Sequence, residues 1–151
     1  MKRTLTMCAL ACMLAVLAAC GGGEQKPAAA APAAPKPAAA DPAAQMAAGK
    51  VIYNQYCKAC HMEDGAGMAG INPPLAKSDW VNGDKERIIK IVLNGQQGPI
   101  EVNGQTYNGV MVSHSFLKDD QIAAVLTYVR GSFGNTSGPV TAEEVAALRG
   151  K

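Results

Sequence analysis

Cys57-Lys58-Ala59-Cys60-His61 is the stretch on which the reading of this chain turns. Two thiols with two residues between them fall on one side of a helical turn, and a histidine directly after the second projects beside them. A zinc site needs a second Cys/His pair, and only His114 remains in the folded part. A thioredoxin-like redox pair belongs in a βαβ setting, which the flanking sequence lacks. A structural disulfide at this spacing would be strained and easily reduced. The arrangement that remains is covalent attachment of haem c, with one thioether from each of Cys57 and Cys60 and with His61 as proximal iron ligand.

Composition supports that reading. The chain has 151 residues, enough for one ordinary domain, and its 48% hydrophobic fraction is inflated by alanine. Aromatics are 5%, with one Trp and two Phe, so a core of protein side chains alone would be thin. A tethered haem is a large flat hydrophobe that fills such a core without a deep pocket. The five cysteines cannot all pair in disulfides.

Working outward to the N-terminus, Lys2 and Arg3 precede an almost wholly apolar run from Leu5 to Ala19, the length of a signal sequence and short for a spanning helix. It ends in Leu17-Ala18-Ala19-Cys20, which resembles the lipobox of bacterial lipoproteins. That resemblance implies cleavage of residues 1–19 and lipidation of Cys20, with Gly21 rather than Asp next to it pointing to the outer membrane more than the inner, on the periplasmic side. Two or three acyl chains supply a stable anchor where one binds only marginally. Cleavage removes Lys2, Arg3, Cys8 and Cys12 and takes the formal charge from +2 to 0, which argues against nucleic acid as a partner. Residues 20–41 hold the lipidated Cys and an Ala/Pro-rich linker, read either as a polyproline II spacer or as disordered filler. In the first case about twenty residues reach roughly 60 Å.

The folded part is expected over 42–135, followed by a C-terminal tail over 136–151. Asp41 caps and Pro42 starts a helix over 42–57. A second is predicted over 84–94, stopped at Asn94-Gly95, with Ile88, Ile91 and Val92 on one face. A third covers 119–130, where Ile122, Val125, Leu126 and Val129 form a stripe. Thr141 and Glu144 spell a capping box for a short helix over 142–149. Residues 100–107 read as a hairpin on an Asn103-Gly104 turn, and 62–80 as loop.

Residues 46–134 resemble a class I cytochrome c domain, an all-α fold with three main helices around one covalent haem. The matching pieces run in order: Gly49 to Tyr53, the Cys57–His61 box, Gly65-Ala66-Gly67, Asn72-Pro73-Pro74-Leu75, Tyr107 to Met111, and Asp120 to Arg130. The resemblance implies that the first and third helices cross at Gly49, that Met111 is the distal iron ligand, and that the carbonyl of Pro73, or alternatively Pro74, accepts a hydrogen bond from His61. Met46, Met62, Met68 and His114 are the other candidates for the distal position. His114 is read as a solvated loop residue, though near enough to compete. Relatives carry Met-Pro where this chain has Met111-Val112, so a looser loop is expected, and Asp119 is expected to cap in place of the serine that Lys118 replaces. Lys58, Lys77 and Lys118 are either docking lysines around the haem edge or ordinary solvated ones.

The function implied is a membrane-tethered periplasmic carrier of single electrons between respiratory redox proteins, with no catalytic residue of its own. The alternatives are a haem subunit of a larger dehydrogenase or reductase complex, and a haem sensor or peroxidase with an exchangeable sixth ligand.

Overall fold

A computed structural model describes residues 41–151; the expected signal segment, Cys20 and the expected linker through residue 40 lie outside the described residues. The elements, in order, are α1 (Pro42–Ile52), a π-helical turn (Tyr53–Cys57), α2 (Lys58–His61), α3 (Asp79–Asn82), α4 (Lys85–Asn94), β1 (Ile100–Val102), β2 (Gln105–Tyr107), α5 (Asp119–Arg130) and α6 (Ala142–Leu148). The mostly helical domain with a single hairpin is the expected class. Among the described residues no helix is long and apolar enough to cross a membrane.

Asp41 caps α1 by accepting a hydrogen bond from the amide of Ala43, at 3.0 Å, with Pro42 in the first turn. The helix does not stop at residue 57 as the sequence suggests. It passes through the π-helical turn, where the Lys58 amide donates to the carbonyl of Tyr53 five residues back, and continues to His61. The extra residue rotates α2 relative to α1 by about one residue's arc of the helix, roughly 100°. Tyr53 is therefore fully buried against the rings of Tyr128 and Phe133, at 5.5 and 5.2 Å, while the cysteine motif faces a different side.

α1 crosses α5 at Gly49. A Cβ there would lie 2.1 Å from the carbonyl oxygen of Ala124 and 2.7 Å from the Cβ of Tyr128. α5 is buried on almost every side: Ile122, Ala123, Ala124, Val125, Leu126, Thr127, Val129 and Arg130 are all inside. Its cap differs from expectation. Asp119 is the first helical residue, and Gln121 Oε1 accepts from the Lys118 amide at 3.0 Å. Asp119 is instead drawn to Arg149, 2.7 Å away, so its carboxylate is not free to turn back to the helix.

α4 is capped by Asp84 and buries Ile88, Ile89 and Leu93. β1 and β2 pair antiparallel around Asn103 and Gly104, both with positive φ (52° and 74°), which is the type I′ turn their sequence favours. α3 begins within the predicted loop over 62–80, capped by Ser78 and tied to the hairpin by reciprocal hydrogen bonds between Asp79 and Asn103. A four-residue helix is too short to show periodicity, and its anchor lies 24 residues along the chain. Residues 136–151, read as a tail, place Val140 and Val145 fully buried in the same core, with α6 held by its Thr141/Glu144 capping box.

Gly49→Ala is expected to cost about 2 kcal/mol or more, because the overlap is with backbone that cannot turn aside. A drop in the denaturant midpoint at unchanged slope checks this; an unshifted midpoint would mean the helices do not meet there.

Candidate functional site

The elements leave a cavity of ≈ 230 Å³ in the middle of the domain. Its walls come from widely separated parts of the described chain: Cys57, Cys60 and His61 from the first helical stretch, Pro73, Pro74 and Leu75 from the loop after it, Ile88, Ile91 and Val92 from α4, Val102 and Tyr107 from the hairpin, Met111 from the following loop, and Val125, Leu126 and Val129 from α5. The lining is overwhelmingly apolar. The α4 and α5 stripes seen in the sequence point largely into this space rather than only at one another.

His61 is buried, and its Nδ1–H donates to the carbonyl of Pro73 at 3.2 Å. A carbonyl can only accept, so this bond puts the proton on Nδ1 and leaves the lone pair on Nε2. The carbonyl is that of Pro73, not Pro74. Burial pulls the His61 pKa below its ordinary value, opposed by the Pro73 bond and helped by nearby His114, so the ring is neutral and able to bind a metal at neutral pH. Its position depends on close packing of two loop strands. The Gly67 amide donates to the His61 carbonyl at 3.2 Å, and a Cβ on Gly67 would meet the carbonyl oxygens of Asn72 and Pro73 at 2.4 and 2.7 Å. Asn72 Nδ2 donates to the carbonyl of Cys60 at 3.1 Å, fixing the motif from the other side.

The two thiols are free; Cys57 is half-buried and Cys60 exposed. Burial, with Cys60 adding to it, pushes the Cys57 thiol up to about 11. A redox-active pair needs a stabilised thiolate, so this environment argues against thiol–disulfide chemistry.

Met111 sits on the cavity wall, and its loop is not loose. Met111 and Gln96 exchange two backbone hydrogen bonds of 2.9 Å, Ser113 Oγ donates to the carbonyl of Leu93 at 2.5 Å, and the His114 amide to that of Val92 at 2.8 Å. These bonds to the end of α4 do what a proline would have done by stiffening the chain. Met62 and Met68 are exposed and off the cavity, and Met46 packs near Gly131. His114 is not a solvated loop residue: it is half-buried on the cavity wall, its Nδ1 2.9 Å from the carbonyl of Val112. None of Lys58, Lys77 and Lys118 lines the cavity; the exposed residues that do include the apolar Ile71, Val110 and Val112, beside Tyr56 and Cys60. Wall residues that sequence reasoning missed include Trp80, Val81, Gln96 and Leu117, although the single Trp of a chain poor in aromatics was a signal for the first.

A helical shell around an apolar cavity with Cys57, Cys60 and His61 on its wall defines a domain that holds haem and moves electrons. Residues 46–132 match the family model described as Cytochrome c. The chain is 44% identical over 112 residues to cytochrome c-552 of Thermus thermophilus, covering 68% of this chain and 85% of that one. It is 36% identical over 108 residues to the gluconate 2-dehydrogenase cytochrome c subunit of Pantoea cypripedii, covering 67% of this chain and 24% of that one. It is also 40% identical over 61 residues to the Cbb3-type cytochrome c oxidase subunit CcoP of Azospirillum sp. (strain B510), covering 36% and 21%. The chain belongs to the cytochrome c family, with covalently bound haem c as its cofactor. The residues present fit that group: an apolar lining, a neutral imidazole with one nitrogen unengaged, and two thiols beside it.

Gly67→Ala is expected to push the Pro73 carbonyl away from His61 and cost about 1–3 kcal/mol. The check is the denaturation midpoint together with the His61 Nδ1–H proton resonance; a mutant that keeps both unchanged would show that the strand can yield.

Proposed function

We propose that this protein is a lipid-anchored, single-haem electron carrier on the periplasmic side of a bacterial membrane, exchanging electrons with respiratory redox proteins. The observation that carries the reading is the convergence of Cys57, Cys60, His61 and Met111 on one apolar cavity. Cys57 and Cys60 form the two thioether links. His61 binds iron through Nε2, and the Pro73 carbonyl holds its ring in one orientation and tautomer. Met111 supplies the distal sulfur from a loop fixed to α4. Haem c, when bound, supplies an iron that cycles between Fe(III) and Fe(II). A thioether paired with imidazole favours the reduced form and raises the potential. With His61 and Met111 both holding the iron, no coordination site would be left for a substrate, so the protein would transfer electrons and do no bond chemistry. The exposed apolar residues Ile71, Val110 and Val112 beside the cavity suit a short-lived contact with a redox partner better than a ring of lysines does. Attachment to the membrane, preferably the outer one, falls to the lipid on Cys20, which a linker separates from the domain.

A second reading has an observation of its own. The similarity to the gluconate 2-dehydrogenase cytochrome c subunit covers the domain, so the chain as haem subunit of a larger complex is the alternative to a free carrier. Co-purification of a stoichiometric partner from detergent extract separates the two.

A pyridine haemochrome spectrum in alkali is expected to show one haem with both vinyl groups saturated. Met111→Ala is expected to lose the low-spin spectrum and lower the midpoint potential. An unchanged spectrum would remove Met111 as ligand and turn attention to His114 and an exchangeable sixth site. Cys20→Ser is expected to shift the protein from the membrane to the soluble fraction and abolish fatty-acid labelling; a variant that still pellets with membranes would remove the lipid anchor.

A further inference from the structure

The family match ends at residue 132, yet the chain beyond it stays in close contact with the domain. The Ser137 amide donates to the carbonyl of Arg130 at 3.0 Å. Val140 exchanges two hydrogen bonds with the Thr127 hydroxyl, at 3.0 and 3.2 Å, and accepts a third from Gln45 Nε2. α6 then packs with Val145 fully buried, and Lys85 Nζ meets Glu144 Oε1 at 2.9 Å. This strap ends on Arg149, which directly succeeds α6.

The guanidinium of Arg149 spends donors on three targets. Nε donates to Asp119 Oδ1 at 2.7 Å, Nη1 to the carbonyl of Ser115 at 2.8 Å and Nη2 to the carbonyl of Leu117 at 2.8 Å. Ser115 and Leu117 close the loop that Met111 opens, and Leu117 is itself buried on the cavity wall. The loop thus has two anchors. The end of α4, through Leu93 and Val92, and Gln96 just beyond it hold its start, and Arg149 holds its end. Between them the chain is stiffened internally, with the Ser115 amide on Ser113 Oγ at 3.2 Å and the Leu117 amide on the His114 carbonyl at 3.0 Å.

We propose that Arg149 is a positioning residue for Met111, through which a segment outside the family region sets how firmly the distal sulfur is presented. It touches no reacting atom and acts through the loop. The proposal rests on Met111 being the distal ligand. A neutral thioether is a weak donor, so much of what keeps it in place is the small conformational freedom of its loop, and a loop tied at one end only has more to lose. The planar fork is what the geometry requires. A lysine keeps the attraction to Asp119 but cannot hold both carbonyls in fixed directions.

The test compares the haem-loaded full chain with Arg149→Lys, Arg149→Gln and Met111→Ala. Three quantities are read: the methionine–iron charge-transfer absorption under alkaline titration, the midpoint potential, and hydrogen exchange at the Met111, His114 and Leu117 amides against those of β1 and β2. Arg149→Lys is expected to speed exchange at the three loop amides about tenfold, the loss of a carbonyl hydrogen bond or two. Exchange in the hairpin should not move, the absorption should vanish at lower pH, and the potential should fall. Where Arg149→Gln does not accumulate, the milder Arg149→Lys carries the comparison alone. Wild-type absorption, potential and loop exchange in Arg149→Lys would overturn the proposal even if the variant melts earlier, since Arg149 would then only stabilise the fold. If Met111→Ala retains the absorption, the ligand assignment fails first. If Met111→Ala loses it while Arg149→Lys leaves all three readouts unmoved, the positioning role alone fails.

Discussion

A side chain at residue 49 would strike the carbonyl oxygen of Ala124 at 2.1 Å, and the arrangement of the domain depends on its absence. α1 and α5 touch backbone to backbone at that point, so Tyr53, one turn on, is driven into full burial against Tyr128 and Phe133. With Tyr53 locked on the core side, the π-helical turn sends Tyr56, Cys57, Cys60 and His61 to the cavity. The Tyr53 hydroxyl then donates to the Met62 carbonyl at 2.6 Å, just where α2 ends in a residue of positive φ, and so ties the end of the motif to its beginning. One missing Cβ sets the helix crossing, and the crossing sets where the chemistry is displayed.

The cavity explains the thin aromatic content of the chain. α4, α5 and the hairpin turn Ile88, Ile91, Val92, Val102, Tyr107, Val125, Leu126 and Val129 toward a shared space. In a protein of this size a continuous side-chain core would normally occupy that position. Covalent haem c serves as the missing layer. Thioether attachment suits this economy: a group that cannot dissociate needs little more than apolar walls to hold it.

Much of this was legible in the order of residues. Capping residues Asp41, Asp84 and Thr141, the stop at Gly95, the Asn103-Gly104 turn and the α5 stripe all act within a few residues, and the structure uses each as read. Other features depended on partners far along the chain and left no local trace. α3 needs Asn103, the Lys118 amide is capped by Gln121 because Asp119 is claimed by Arg149 from 30 residues away, and the Met111 loop is firm because Gln96, Leu93 and Val92 bond to it. His114 read as solvated because nothing in its own neighbourhood marks the cavity it borders.

The sequence by itself determined the class of cofactor and the longer helices with most of their caps, because spacing of two thiols and a histidine, caps and turns are all properties of short segments. Tertiary structure alone decided which proline carbonyl holds His61, which methionine among the described residues reaches the cavity wall, and that the last sixteen residues brace the loop bearing it. The reason is physical. A hydrogen bond or an approach of 2–3 Å between residues 12 to 75 positions apart depends on how whole helices cross, and no local preference records that angle.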